Sequence, residues 1–135
     1  MVKKTAKQEI ASTVIVDVDE LPGTSNEDQI YKELCDKLAE IRKDKSVIGY
    51  IIRNTTSATI DLNEPEKIVE YALFSSQVLD SSQEISDQFE LGNVSSVLIK
   101  SKEKKAICTI IDGNKIGIFM KNSADHAEIL KQISP

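Results

Sequence analysis

One long helix is predicted by residues 63–92, with the sequence NEPEKIVEYALFSSQVLDSSQEISDQFELG. Asn63 is a suitable N-cap, Pro65 suits the first helical turn, and Gly92 favours the left-handed conformation on which helices end. Glu66 stands three residues after Asn63, as in a capping box. At about 100° per residue, one broad face of this helix is apolar or small, which predicts packing on a core. The residues of that face are Ile68, Tyr71, Ala72, Ser75, Val78, Leu79, Ser82, Ile85 and Phe89.

A separate group of residues forms a stripe outside the core-facing side of the same helix. It combines two apolar residues, Val69 and Leu73, with Ser76 and Asp80. Two neighbouring apolar side chains beside a small serine form a smooth strip that suits a partner helix. We therefore expect either a partner or the loops of this chain to cover the stripe.

Length, composition and charge indicate one acidic domain. The chain has 135 residues, of which 40% are hydrophobic, and carries a net charge of −5, which suits a single core. This acidic balance, with Arg42 and Arg53 as the only arginines, argues against a sequence-independent grip on nucleic acid. The apolar run at residues 10–18 is short and contains polar residues, and no run approaches the length needed to span a bilayer. We expect a cytoplasmic protein without a signal peptide or membrane insertion.

The rest of the chain predicts short strands and two shorter helices. β-Branched residues at 12–19 predict a strand, and the sequence Leu21-Pro22-Gly23 predicts a turn after it. Residues 1–25 are therefore interpreted as an N-terminal extension with one strand, and residues 26–135 as the main domain. Its predicted elements are a helix at 27–43, strands at 47–53, 58–61, 94–100, 105–112 and 115–121, and a last helix that Asn122 or Ser123 caps and that buries Ala127, Leu130 and Ile129 or Ile133. We expect the strand of the extension to pair with the sheet edge at 58–61.

This order of elements resembles the roadblock family, which includes dynein light chains of roadblock type and regulators of Ras-like GTPases. The resemblance rests on VIGYII at residues 47–52, Asn63-Glu64-Pro65 at the start of the long helix, and VLIKSK at residues 97–102 before a hairpin. It implies an α+β, roadblock/profilin-like fold. A five-stranded antiparallel sheet carries the long helix on one face and the two shorter helices on the other, and here the N-terminal strand is added. The first hairpin, residues 54–57, lacks the glycine that the family commonly has there, so a longer or wider turn is expected.

The resemblance also implies a function. Roadblock-type chains dimerise through the long helix and the strand that follows it, and the dimer is a platform for a small GTPase or a larger assembly. We expect a homodimer, or a heterodimer with another roadblock-type chain, that acts as a non-enzymatic scaffold binding and regulating a Ras-like GTPase. The alternatives are a structural adaptor without effect on a nucleotide cycle and a small-ligand sensor. The residues expected at the dimer or partner interface are Val69, Leu73, Ser76, Asp80, Val94, Ser96 and Leu98.

The sequence offers little for catalysis. No glycine precedes a Lys-Ser or Lys-Thr pair at phosphate-loop spacing, and the single histidine, His126, has no second histidine or cysteine at ligand spacing. Cys35 and Cys108 stand far apart in apolar patterns and are interpreted as buried thiols. We expect no catalytic residue, no cofactor and no metal. Asp17, Asp19 and Glu20 are interpreted as solvated side chains rather than as a cation site. Arg53 is interpreted as paired with a neighbouring carboxylate rather than as an arginine finger.

Lysines cluster in the predicted turn between the strands at 94–100 and 105–112. The cluster comprises Lys100, Lys102, Lys104 and Lys105. A solvated hairpin tip is the ordinary role of such a group, and a patch for an anionic partner is the alternative.

Overall fold

The computed structural model of the protein describes residues 13–17 and 25–134, which form six strands and three α-helices. These elements are β1 (Thr13–Asp17), α1 (Ser25–Ile41), β2 (Val47–Arg53), β3 (Ser57–Leu62), α2 (Ile68–Gln88), β4 (Ser96–Lys100), β5 (Lys104–Ile111), β6 (Asn114–Lys121) and α3 (His126–Ile133). A 3-10 turn at Pro65–Lys67 leads into α2. The order of elements agrees with the sequence prediction.

All neighbouring strands are antiparallel, and their order across the sheet is β1-β3-β2-β6-β5-β4. Five of these strands form the sheet expected of a roadblock-type domain, and β1 is the added one. Its backbone pairs with β3, from Thr13 opposite Asp61 to Asp17 opposite Ser57. The predicted pairing of the N-terminal strand is therefore confirmed, although predicted residues 12, 18 and 19 lie outside the described part of the chain. The two edges of the described sheet are β1 and β4, each of which pairs with one neighbour only.

Two apolar clusters hold the helices to opposite faces of the sheet. The first joins α1 and α3 to one face through Leu34, Leu38, Ile41, Val47, Tyr50, Ile52, Ile107, Ile116, Ile118, Met120, Ala124, Ile129 and Ile133. The second joins α2 to the other face through Ile48, Ile51, Ile60, Leu62, Ala106 and Phe119, with Ile68, Tyr71, Ala72 and Phe74 packed against them. This layering positions α2 as the outermost element on its face of the sheet.

The start of α2 differs from the prediction in one respect. Pro65 stands at the first turn, as expected, but no side-chain cap forms at Glu64 or at Lys67, the residues that precede the 3-10 turn and the α-helix. Asn63 is exposed, and its backbone N–H donates to Ile48 O at 3.2 Å. The predicted capping box is therefore wrong, because Asn63 still belongs to the connection that follows β3.

The end of α2 is also displaced from the predicted residue. The helix ends at Gln88, and Glu90 adopts a left-handed φ of 56°. Leu91 N donates to Ser86 O at 2.9 Å and Glu90 N donates to Asp87 O at 3.3 Å. These two bonds form a Schellman motif with Glu90 at its left-handed position. Gly92, with φ of 95°, comes two residues later and does not end the helix.

Glu90→Gly should stabilise the protein by about 1 kcal/mol, because glycine adopts the left-handed conformation without the steric cost that a side chain carries there. Urea denaturation followed by circular dichroism measures the change. The matched control is Gln88→Gly, which places glycine two residues earlier in the last helical turn and should destabilise by about 1 kcal/mol. A loss of stability in Glu90→Gly would contradict the assignment of the Schellman motif.

Side-chain bonds explain two further differences from the sequence prediction. In the β2–β3 hairpin, Asn54 Oδ1 accepts hydrogen bonds from the N–H groups of Thr56 and Ser57, both at 2.9 Å, so the turn forms without glycine. α3 is capped by Asp125, whose Oδ1 accepts from Glu128 N at 3.1 Å, rather than by Asn122 or Ser123. The helix therefore starts later than predicted. Of the residues predicted to be buried there, Ala127 is exposed, Leu130 is half-buried, and both Ile129 and Ile133 are buried.

Candidate functional site

α2 presents apolar side chains on both flanks of its buried face. Ser75, Leu79 and Ser86 are buried and mark the side that faces the sheet. At about 100° per residue, two stripes lie roughly 90° to 110° from that side, in opposite directions. We define the first stripe as Val69, Leu73, Ser76 and Asp80. We define the second stripe as Phe74, Val78, Ile85 and Phe89.

The first stripe lies on the side of α2 that faces β2 and β3. Arg53, the last residue of β2, donates a hydrogen bond from Nη2 to Ser76 Oγ. Along the stripe, 68% of Val69 and 57% of Leu73 are exposed, so no described part of this chain covers them. Arg53 was interpreted as paired with a carboxylate, but this bond joins it to a hydroxyl within the stripe.

The second stripe lies on the opposite side, toward β5 and β4. The ring of Phe74 is 6.1 Å from the ring of Phe119 in β6, and Phe74 lines a cavity together with Ile99 of β4. Ile85 and Phe89 follow Phe74 by eleven and fifteen residues, which returns both to the same side of the helix. Both are largely exposed, 56% for Ile85 and 69% for Phe89.

Ile85 and Phe89 were predicted to face the core, and that prediction is wrong. The backbone that returns from the helix occupies the core side of its last turns. Ser86 Oγ donates to Gly92 O, and Gln83 Oε1 accepts from Val94 N at 2.9 Å. The sheet therefore does not extend beneath Ile85 and Phe89, and their side chains project beyond it.

β4 continues the apolar surface at one of the two edges of the described sheet. Val97 is opposite Cys108 and Ile99 is opposite Ala106. Ala106 belongs to the cluster under α2, and alternate residues of a strand share a face. Val97 and Ile99 therefore face the α2 side, where Val97 is half-buried and Ile99 is 36% exposed. We call Val97, Ile99 and the second stripe together the β4-side surface.

The structure divides the predicted interface residues between different places. Ser96 and Leu98 are exposed on β4 but point to the face that carries α1 and α3, since Leu98 is opposite Ile107. Val94 is half-buried and lies before β4. Val69, Leu73, Ser76 and Asp80 share one side of α2, away from the β4 edge. Sequence reasoning missed Ile99, because residues 97–99 are all apolar and alternation cannot assign their faces.

The two cysteines and the histidine pack against other residues of the domain. Cys108 is buried, which raises its pKa to about 11, and burial also raises the pKa of Cys35. Cys35 is only half-buried, with its Sγ 3.8 Å from Thr59 Oγ1, so the prediction of a buried thiol is wrong for this residue. His126 Nδ1 lies 2.9 Å from Lys105 Nζ. Because burial raises the pKa of both thiols, Cys35 and Cys108 are protonated at neutral pH. A protonated thiol is a poor nucleophile.

No cluster of three or more histidine, cysteine, aspartate or glutamate side chains among the described residues has the arrangement of a metal site. No helix in the described ranges is long and apolar enough to cross a membrane. Of the acidic residues at 17–20, only Asp17 belongs to the described chain, as the last residue of β1.

Comparison with known proteins gives a match in three dimensions only. No family model matches the sequence, and no curated protein matches it. Among solved structures, a Roadblock/LC7 domain from Streptomyces avermitilis superposes with a TM-score of 0.63. The chain has a Roadblock/LC7 fold. The match covers 72% of this chain and 85% of the Streptomyces domain at 11% identity, so the Roadblock/LC7 likeness holds for the fold, as the order of elements predicted.

Proposed function

We propose that this protein is a non-enzymatic adaptor in the cytoplasm that forms a homodimer and binds a Ras-like small GTPase. One observation carries the proposal: α2 and β4 expose large apolar side chains on two separate sides of one small domain. Contiguous exposed apolar side chains of this size mark interaction surfaces. The Roadblock/LC7 fold supports the choice of partner, because roadblock-type proteins include regulators of Ras-like GTPases. Residues 26–135 are the adaptor domain, and residues 1–25 are an extension that adds β1 to its sheet.

The β4-side surface is the proposed dimer interface. β4 has an unpaired outer edge within the described sheet, and an unpaired edge is a template for a strand from another chain. In a two-fold dimer the two β4 strands run antiparallel, so the two α2 helices also run antiparallel. The exposed Ile85 and Phe89 of one copy then meet the same surface of the other. An edge and a neighbouring apolar stripe give the interface both hydrogen bonds and burial.

The first stripe is the proposed GTPase surface, because dimerisation through β4 leaves it exposed. Val69 and Leu73 supply apolar contact area, and Asp80 at the end of the stripe supplies a charge. The hydrogen bond from Arg53 orients the side chain of Ser76, which lies between Leu73 and Asp80 along the stripe. To regulate the nucleotide cycle the adaptor must bind the two nucleotide states of its partner with different affinity.

The test is retention of a GTPase by the immobilised full-length chain. Lysate proteins are loaded with GDP or with a non-hydrolysable GTP analogue, and retained small GTPases are quantified by mass spectrometry. We expect one Ras-like GTPase to be enriched at least about fivefold in one nucleotide state, the lower end of typical coupling between binding events. Equal retention in both states would instead establish a structural adaptor.

Leu73→Asp should abolish GTPase retention while the protein remains a dimer, because it places a carboxylate in the apolar contact. The matched control is Gln77→Asp, one helical turn along on the exposed polar side, which should retain the GTPase. Retention by Leu73→Asp at the unmodified level would place the GTPase on another surface.

A further inference from the structure

A cavity of about 370 Å³ opens between the N-terminal half of α2 and the strands β4, β5 and β6. Its size lies within the range of small-molecule sites, roughly 300 to 1,000 Å³. One wall is α2 and the other is the outer part of the sheet. Its lining lies within one protomer, but Phe74 and Ile99 also belong to the β4-side surface, so the cavity borders the proposed dimer interface. The cavity does not depend on the proposed GTPase partner.

Aromatic rings form the inner part of this cavity. The rings of Tyr71 and Phe119 pack at a tilt of 52° with their centroids 4.5 Å apart, and the ring of Phe74 is 6.1 Å from that of Phe119. These three are half of the six aromatic residues in the chain, which has three tyrosines, three phenylalanines and no tryptophan. Ala106, whose side chain is a single methyl group, pairs with Ile99 on one side and with Phe119 on the other, so it leaves space between these two larger residues. The inner part therefore suits an apolar chain or ring.

Basic residues stand at the mouth of the cavity, although the protein as a whole is acidic. Lys67 and Lys104 line it, against one carboxylate residue, Glu70. Lys67 Nζ is 3.8 Å from Glu64 Oε1, a long ion pair between half-exposed groups that leaves the ammonium accessible. Lys104 is exposed and begins β5 at the lysine-rich hairpin. The mouth therefore favours an anion.

Lys105 also borders the cavity, but its charged amino group lies near α3 on the other face of the sheet. Its side chain is 6% exposed, and Nζ is 2.9 Å from His126 Nδ1 at the start of α3. Because neighbouring residues of a strand point to opposite faces, Lys105 points away from α2 while Lys104 points toward it. The lysine cluster predicted as a solvated tip is thus divided, and Lys104 is its member at the cavity.

We propose that this cavity binds an amphipathic organic anion, such as a medium-chain fatty carboxylate. The apolar chain packs among Tyr71, Phe74, Phe119 and Ala106, and the carboxylate lies at the mouth near Lys104 and Lys67. An apolar interior with few polar groups at one end is the usual construction of a small-ligand site. The geometry gives the ligand a direction, with its charge outward.

Three probes of equal chain length test the ligand class below their micellar concentrations: decanoate, decanol and decyltrimethylammonium. Binding is measured by titration calorimetry, and the site by amide shifts in NMR spectra. We expect decanoate to bind about tenfold more tightly than decanol and the cationic probe not to bind, with shifts centred on Phe74, Ala106 and Phe119. Equal affinity for decanoate and decanol, or shifts centred elsewhere, would overturn the proposal.

Two variants separate the charge from the cavity. Lys104→Gln should weaken decanoate binding about three- to fivefold, as expected for one exposed ion pair, and leave decanol binding unchanged. Its matched control, Lys102→Gln, removes the same charge from the same hairpin outside the cavity lining and should have no effect. Ile99→Trp, which fills the cavity from its margin on β4, should abolish binding of both ligands. Equal weakening of decanoate in Lys104→Gln and Lys102→Gln would show only a diffuse charge effect and would overturn the site.

Discussion

Phe89→Asp should convert the proposed dimer to monomers at micromolar concentration. Phe89 is 69% exposed within one protomer and lies on the β4-side surface. Removing a buried aromatic side chain from an interface costs roughly 2 kcal/mol, and a buried unpaired carboxylate adds about 1 kcal/mol or more. A two-fold interface contains the change twice, so the total is about 6 kcal/mol. That corresponds to about four orders of magnitude in the dimer dissociation constant. Light scattering coupled to size-exclusion chromatography measures the mass in solution.

Leu73→Asp is the matched control, because it places the same carboxylate on the other flank of the same helix. We expect this variant to remain a dimer. If Leu73→Asp forms monomers and Phe89→Asp does not, the first stripe is the dimer interface, as the sequence alone suggested. A monomeric mass for the unmodified protein would contradict both assignments.

Gly49→Ala should destabilise the protein by about 3 kcal/mol. A Cβ atom at Gly49 would lie 2.4 Å from Asp61 O, 2.6 Å from Leu62 Cδ2 and 2.8 Å from Leu62 Cα. Two of these atoms belong to the backbone of β3, so relief requires β2 and β3 to separate where Gly49 is opposite Leu62. Overpacking of a well-packed core costs about 1 to 3 kcal/mol, and more where the backbone must shift. The melting temperature should fall by about 10 °C.

Gly117→Ala provides the comparison, since it is the same change in a neighbouring strand of the same sheet. There the added Cβ would lie 3.1 Å from Ser75 Cβ, and a slight shift of α2 relieves the contact. We expect a loss of about 1 kcal/mol at Gly117. Similar losses at both positions would show that the β2–β3 contact is not the cause.

The elements of the fold could be predicted because their signals are local. β2 is apolar on both alternating faces, which is the pattern of a strand covered on both sides, and it is covered by α1 and α3 on one face and by α2 on the other. Asp112 and Gly113, with φ of 50° and 80°, form the two-residue turn that their sequence predicts. The pairing of β1 with β3 followed from β-branched residues that require burial and from the single sheet edge left for them.

The surfaces could not be predicted as well, because they depend on where the sheet stops. Periodicity places Ile85 on the same side of α2 as Phe74, but only the structure shows that Phe74 has Phe119 beneath it. Glu90 ends the helix although Gly92 has the stronger propensity. The hydrogen bonds of Glu90 and Leu91 to the last helical turn decide the position. The sheet strands that the first stripe faces could not be predicted either. They are shown by the hydrogen bond from Arg53 to Ser76, which joins residues 23 positions apart in the sequence.

The pairing of β1 with β3 changes which strand the protein exposes at that end of its sheet. β1 covers the edge of β3 over five residue pairs, so β1 and β4 are the two edge strands of the described sheet. An unpaired edge is a template for pairing with another chain, and short edge strands limit such pairing. Both edges of the described sheet are therefore five-residue strands, Thr13–Asp17 and Ser96–Lys100. A chain cut after residue 24 would expose the six residues of β3 instead, and we expect it to aggregate more readily than the intact chain.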